Sequence, residues 1–170
     1  MPAMSSAPPS FEQHLEDSFR RVHRAALGFL GDEQAAREAA QEAMTKAFVA
    51  RERYDPGQPF YPWMYRIVKN TCLDIIRGRK RRPRSSVEVE RLASVAPSPV
   101  EATLAAEQQQ RLWRAMSSLS ADHQEILNLR HFQDLSYLEI CDLLGIPEGT
   151  VMSRLYRARR ALAAAMREGT

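Results

Sequence analysis

Residues 135–162, LSYLEICDLLGIPEGTVMSRLYRARRAL, constrain the fold more than any other stretch of the chain. The spacing predicts two helices joined at Gly145-Ile146. Ser136 stands where it can cap the first, and Glu139 three residues on completes a capping box. Ile140, Leu143 and Leu144 then form its buried face. Gly145 suits the left-handed residue that ends a helix. Pro147 fits the first position of the next helix, with Glu148 near its positive end. On that second helix Val151, Leu155, Ala158, Leu162 and Met166 recur at helical spacing as the inner stripe. Met152, Ser153, Tyr156, Arg157 and Arg160 fall opposite, with Arg154 and Arg159 on the flanks. Such a hairpin is a helix-turn-helix, a device that lays its second helix in the DNA major groove. The outward serine, tyrosine and arginines suit base edges and phosphates. The competing reading is a solvated basic face on an ordinary helical hairpin.

Composition narrows the rest. The chain has 170 residues, room for one domain or two small ones. It is 44% hydrophobic with 7 glycines, and no segment alternates as a strand does, so an all-α fold is expected. Net charge is only +3, so the cations act where they cluster rather than over a generally basic surface. No apolar run approaches a membrane span, and the opening MPAMSSAPPS has no apolar signal core. A cytoplasmic protein is expected. Cys72 and Cys141 stand alone on helical patterns, which suits small core residues. His14, His23, His123 and His131 have no metal-site spacing with them, so neither metal nor cofactor is expected.

Two small helical domains are expected, at 10–82 and 99–168, after a proline-rich tail at 1–9. A flexible linker with several prolines and serines joins them at 83–98. A first helix starts after Ser10, with Gln13 completing a capping box, and ends at Gly31; Phe11, Leu15, Phe19, Val22, Ala26 and Phe29 face inward. A second runs from Glu33 to about Arg53 with Ala36, Ala39, Ala40, Ala43, Met44, Ala47 and Phe48 as its stripe. A third runs from about Pro62 to Arg79. In the second domain one helix covers roughly Val100 to Ser117, with Leu104, Leu112, Ala115, Met116 and Leu119 inward. Ser120 caps the next, which ends near Phe132 before the helix-turn-helix.

Two more faces carry chemistry. Glu38, Gln41, Glu42, Thr45 and Val49 face away from the alanine stripe, as a partner-docking surface or as an ordinary solvated face. On the third helix Trp63, Ile67, Thr71 and Ile75 read as core. Tyr65, Arg66, Lys69 and Asn70 combine an aromatic ring, cations and an amide, a set that suits a single nucleic-acid strand. Arg77, Arg79, Lys80, Arg81, Arg82 and Arg84 put six cations within eight residues, for phosphate contact or as a solvated helix end.

These segments resemble bacterial sigma factors of the extracytoplasmic-function group. The C-terminal resemblance is carried by Ser136-Tyr137, Glu139-Ile140, Leu144-Gly145, Pro147, Gly149-Thr150-Val151, Ser153-Arg154-Leu155, Arg157-Ala158-Arg159 and Leu162. Cys141 departs from the usual alanine, and Met152 replaces a position that is often basic. The N-terminal resemblance is carried by Phe60, Trp63, Tyr65-Arg66-Ile67, Asn70, Asp74, Arg77 and the run Arg79 to Arg82, with Gln41-Glu42 upstream. Glu38 replaces the usual aspartate there, and Ala39 the usual leucine.

The resemblance implies a sigma factor that binds core RNA polymerase and directs promoter-specific initiation, not an enzyme. It implies that Glu38, Gln41, Glu42 and Thr45 dock on the polymerase clamp helices. It implies that Gln58, Phe60, Tyr61, Tyr65, Arg66, Lys69, Asn70 and Arg77 serve the minus-ten element, where a base is flipped out. Met152, Ser153, Arg154, Tyr156, Arg157 and Arg160 would read the minus-thirty-five element. An anti-sigma factor is an implied partner. Two other classes stand beside this one. A stand-alone helix-turn-helix regulator would bind duplex DNA without polymerase and need no aromatic-basic third helix. A decoy for an anti-sigma protein would lose the promoter-facing arginines, which are present here.

Overall fold

Capping chemistry sets most helix boundaries. The Ser10 hydroxyl accepts from the Gln13 N–H at 3.3 Å and opens α1, Phe11–Leu30. Gly31 closes α1 at φ 69°, donating its N–H to the Leu27 carbonyl. The Asp32 carboxylate accepts from the Ala35 N–H at 2.6 Å and opens α2, Glu33–Val49. A short 3-10 turn, Arg51–Arg53, follows, so α2 stops short of the expected Arg53. The third helix, α3, is Phe60–Arg81. Beyond it come α4, Pro99–Ser118, and α5, Ala121–Leu127, the latter capped by Ser120. A π-helical turn, Asn128–Phe132, continues α5, and two residues beyond it Asp134 is a non-glycine residue at φ 54°. The helix-turn-helix is α6, Tyr137–Leu144, and α7, Glu148–Glu168. This computed structural model describes residues 9–81 and 99–168. The expected linker, and the expected tail but for its last residue, lie outside them, as do Arg82 and Arg84 of the basic cluster.

One part of the buried core lies among α1, α2 and α3. Val22, Ala25, Ala26, Ala36, Ala39, Ala40, Ala43, Ala47, Met64 and Val68 are fully buried. An alanine stripe lets α2 lie close to its neighbours because little side-chain volume intervenes. At one end Phe11, Tyr54, Phe60 and Trp63 pack ring on ring, with Tyr54 and Phe60 edge to face at 5.2 Å. The same cluster continues into the second half through Ile126, Leu127, Leu129, Ile140, Val151, Leu155 and Ala158. Burying each large aliphatic residue contributes about 1.5–3 kcal/mol.

Three expected core residues are exposed. Phe19 reaches solvent and stacks on His23. Phe48 lies outside under the Arg51 guanidinium, because the helix ends one residue later and its stripe has no partner left. Leu104 is exposed in the first half of α4, which reaches beyond the core.

The two halves pack on each other. α1 meets the π turn, and Trp113 of α4 lies over Gly31, where any Cβ would collide with the indole. The carboxamide of Asn128 fills the space above Gly28.

Candidate nucleic-acid interface

The helix-turn-helix is built as its sequence indicates. Ser136 accepts from the Glu139 N–H at 3.2 Å, and the Glu139 carboxylate accepts from the Ser136 N–H at 2.8 Å. Those bonds hold the Glu139 carboxyl below the usual carboxylate range. Gly145 ends α6 at φ 65°. Pro147 sits one residue before α7 rather than in its first turn, and its carbonyl accepts from the Thr150 and Val151 N–H groups. Val151, Leu155 and Ala158 are buried beneath. Met152 and Tyr156, 54% and 62% exposed, stand outward with Ser153, Arg157 and Arg160. The Arg160 guanidinium lies 5.7 Å from the Tyr156 ring centre, and Arg157 Nε donates to the Ser153 carbonyl at 3.3 Å. Arg154 is half-buried on the flank. This face is basic, unobstructed and fixed by the core behind it.

The α3 face is different. Arg66 and Asn70 are exposed, as is Arg77, which pairs with Asp74 at 3.0 Å. Gln58 is exposed in the preceding turn, its carbonyl accepting from the Tyr54 hydroxyl at 2.8 Å. The other expected strand-contacting residues are covered. Phe60 is a core residue of the aromatic cluster, because it opens α3 against α1. Tyr65 is only 2% exposed, and its hydroxyl donates to Glu125 of α5 at 3.3 Å. The Lys69 ammonium pairs with the same carboxylate at 2.7 Å. The Tyr61 hydroxyl makes a short hydrogen bond to Gln133, and the Arg21 guanidinium lies 3.5 Å above its ring centre. Burial raises both phenols' pKa values, with the Glu125 charge adding to the effect at Tyr65, so both hydroxyls remain donors.

Glu125, Asn128 and Gln133 were not legible as site residues. Asn128 donates to the Ala25 carbonyl at 2.8 Å and accepts from the Gln133 carboxamide at 3.2 Å. The π turn brings Asn128 and Gln133 together, since the Gln133 N–H reaches the Asn128 carbonyl five residues back. No local pattern signals this. Asp32 is another matter: an aspartate just before a periodic helix is an N-cap signal.

On α2, Glu38, Gln41, Glu42 and Thr45 are all exposed. Gln34 donates to Glu38 at 2.7 Å, Thr45 donates to the Gln41 carbonyl at 3.0 Å, and Lys46 pairs with Glu42 at 2.7 Å. Val49 is exposed at the end of the same face. Cys72 lies buried behind it, its thiol pushed up to about 12 by desolvation, an inert core residue.

Comparison with known proteins agrees with this arrangement. The family described as sigma-70 region 2 matches residues 15–82, and the one described as sigma-70, region 4 matches residues 109–162. The RNA polymerase sigma-H factor of Pseudomonas aeruginosa is 35% identical over 143 residues, 79% of this chain and 74% of that protein. The ECF RNA polymerase sigma-E factor of Escherichia coli K12 is 35% identical over 134 residues, 74% of this chain and 70% of that protein. Among solved structures, CnrH in complex with the cytosolic domain of CnrY shares the fold at TM-score 0.63 and 23% identity, over 94% of this chain and 89% of that one. The sigma factor RpoE from Bartonella quintana, solved with the anti-sigma factor NepR, shares it at TM-score 0.59 and 24% identity, over 92% and 96%.

Proposed function

This chain belongs to the sigma-70 family, in its extracytoplasmic-function group, and on that premise we propose how its residues divide the work of promoter recognition. The protein is a sigma factor: it joins core RNA polymerase and directs initiation at chosen promoters, without catalysing a reaction itself. In our reading residues 10–82 form the polymerase- and minus-ten-binding domain, and residues 99–168 form the minus-thirty-five-binding domain across a linker at 83–98. The α2 face of Glu38, Gln41, Glu42 and Thr45 docks on the polymerase clamp helices. Met152, Ser153, Arg154, Tyr156, Arg157 and Arg160 of α7 read the minus-thirty-five duplex. Arg66, Asn70, Arg77 and Gln58 meet the minus-ten strand directly, and Tyr61, Tyr65 and Lys69 join them once uncovered. Phe60 supports this surface from the core.

The observation that carries the reading is the α7 face. Four polar or cationic side chains stand exposed there over a fully buried stripe, at the second helix of a capped helix-turn-helix. Each of two modest DNA-binding surfaces gains from the other through effective concentration once polymerase fixes their spacing. An anti-sigma factor is the regulatory partner we assign, by analogy with the complexes of RpoE and CnrH. No helix among the described residues is long and apolar enough to cross a membrane. We place the protein in the cytoplasm, where the polymerase works. The test is transcription in vitro with purified core polymerase on a genomic DNA library. Transcripts from a restricted promoter set are expected. Tight duplex binding without polymerase, and no transcripts with it, would return the chain to the stand-alone regulators.

A further inference from the structure

We propose that Met152 reads the 5-methyl group of a thymine in the minus-thirty-five duplex, and so helps to set which promoters this chain selects. The inference rests on the reading of the α7 face as the minus-thirty-five surface, and names what one position of that face recognises. Met152 and Tyr156 are the exposed large apolar residues of α7. A thioether has no hydrogen to donate and is at most a weak acceptor. Laid against a phosphate or a guanine edge, it would remove water and return no hydrogen bond. One base feature of the major groove matches such a group: the methyl of thymine.

Place on the helix agrees with chemistry. A recognition helix brings its N-terminal residues against base edges. Met152 lies in the second turn of α7, which begins at Glu148. Met152, Tyr156 and Arg160 follow one another at four-residue spacing, so they share one ridge of the helix. The Arg160 guanidinium lies 5.7 Å from the Tyr156 ring centre, at the end of the ridge away from Met152. The polar groups beside Met152 are engaged within α7. The Ser153 hydroxyl donates to the Thr150 carbonyl at 3.1 Å, and Arg157 Nε donates to the Ser153 carbonyl at 3.3 Å. The thioether stays uncovered, while Val151 next to it is fully buried and fixes the backbone from which Met152 projects. An unbranched methionine can adjust to the exact position of a methyl group.

The test uses the full chain bound to core polymerase and one promoter recovered from the genomic library. Each thymine of its minus-thirty-five duplex, on either strand, is replaced in turn by uracil, which lacks only the methyl. Competition binding at a fixed salt concentration reads the affinity. Uracil at one position should weaken binding about fourfold, the contribution of burying a single methyl group. Met152→Ala should weaken binding to the thymine promoter at least as much, and should no longer tell thymine from uracil at that position. Met152→Leu, still apolar, should keep the discrimination. Alanine and leucine both favour helix and the site is exposed, so circular dichroism should show unchanged helicity. Indifference of the natural chain to uracil at every thymine overturns the inference, as does full discrimination by Met152→Ala. Scrambling the whole element separates the two levels. If scrambling abolishes selective binding while uracil is tolerated throughout, the methyl-reading role alone fails. If scrambling changes nothing, the minus-thirty-five reading of α7 fails and this inference falls with it.

Discussion

The outer face of α7 and the outer face of α3 carry similar chemistry, tyrosine and arginine or lysine at helical spacing, yet stand in opposite conditions. Tyr156 is open to solvent, while Tyr65 is buried against a carboxylate. Arg157 bonds within its own helix at 3.3 Å, while Lys69 is tied to residue 125 in the other half. In the proposed roles the α7 face, fixed by the core directly beneath it, needs no rearrangement to meet a duplex. In the same proposed roles the α3 face is complete only once Tyr61, Tyr65 and Lys69 are uncovered. On that proposal a groove-reading helix is a local object, whereas a strand-capturing face depends on the state of the whole chain.

The harshest way to break this comparison is Leu155→Asp. Leu155 is 1% exposed, and an unpaired buried charge there should cost roughly 4 kcal/mol or more. The C-terminal half should unfold while the first half keeps its amide dispersion in heteronuclear NMR spectra. Joint loss of both sets of signals would mean that the halves are one cooperative unit. Next comes Tyr65. Replacing the buried ring by alanine should cost about 3–5 kcal/mol in denaturant melts, whereas Tyr65→Phe, losing only the hydrogen bond to Glu125, should cost about 1 kcal/mol. Equal effects would show that the ring contributes little and that the polar interaction dominates.

Arg157→Ala sharpens the open face. If the guanidinium bonds to a base edge, its removal should cost about 1–3 kcal/mol and relax preference at one promoter position. If it bonds to a phosphate, removal should instead lower the salt slope by about one. Binding to promoter libraries with core polymerase at several salt concentrations separates the two. If neither moves, recognition lies on another side of α7. On α2, Gln41→Ala with Glu42→Lys should weaken association with core polymerase by about tenfold, near 1.4 kcal/mol. Its melting should barely change, because the exposed Glu42–Lys46 pair is worth about 0.3–0.5 kcal/mol. Surface-plasmon titration against core enzyme checks this.

The smallest expected effect is that of Ser136→Ala, about 1 kcal/mol of stability from the missing cap. It has a pH signature. Glu139 has a depressed pKa in the folded state, so its contribution is present above the ordinary carboxylate range and is lost as pH falls through the depressed value. Acid melts of the natural chain should show that loss, and the variant should show less of it.

What the sequence reveals follows the range of the forces involved. Caps act over three or four residues, so Ser10, Gly31, Ser120, Ser136 and Gly145 were legible and stand where expected. Periodicity acts over one helix, so the alanine stripe of α2 and the inner stripe of α7 were legible too. The same logic misplaced Phe19, Phe48 and Leu104, because periodicity marks a stripe and not how far its partner extends. It could not anticipate that Tyr65 would meet a carboxylate 60 residues away. Aromatic and cationic residues side by side read as a strand-binding set whether they are free or covered. The π turn was illegible for a related reason: it arises from packing between halves, while Asn128 to Phe132 continues an ordinary helical sequence.

Asn128 gives the meeting of the halves a direction. Its amide nitrogen donates to the Ala25 carbonyl, and its oxygen accepts from Gln133. Aspartate has nearly the same volume, but its ionised carboxylate has no hydrogen to give. It would set an oxygen lone pair against the Ala25 oxygen, two like partial charges in a dry gap. The substitution Asn128→Asp thus turns an attraction into a repulsion with almost no change in side-chain volume.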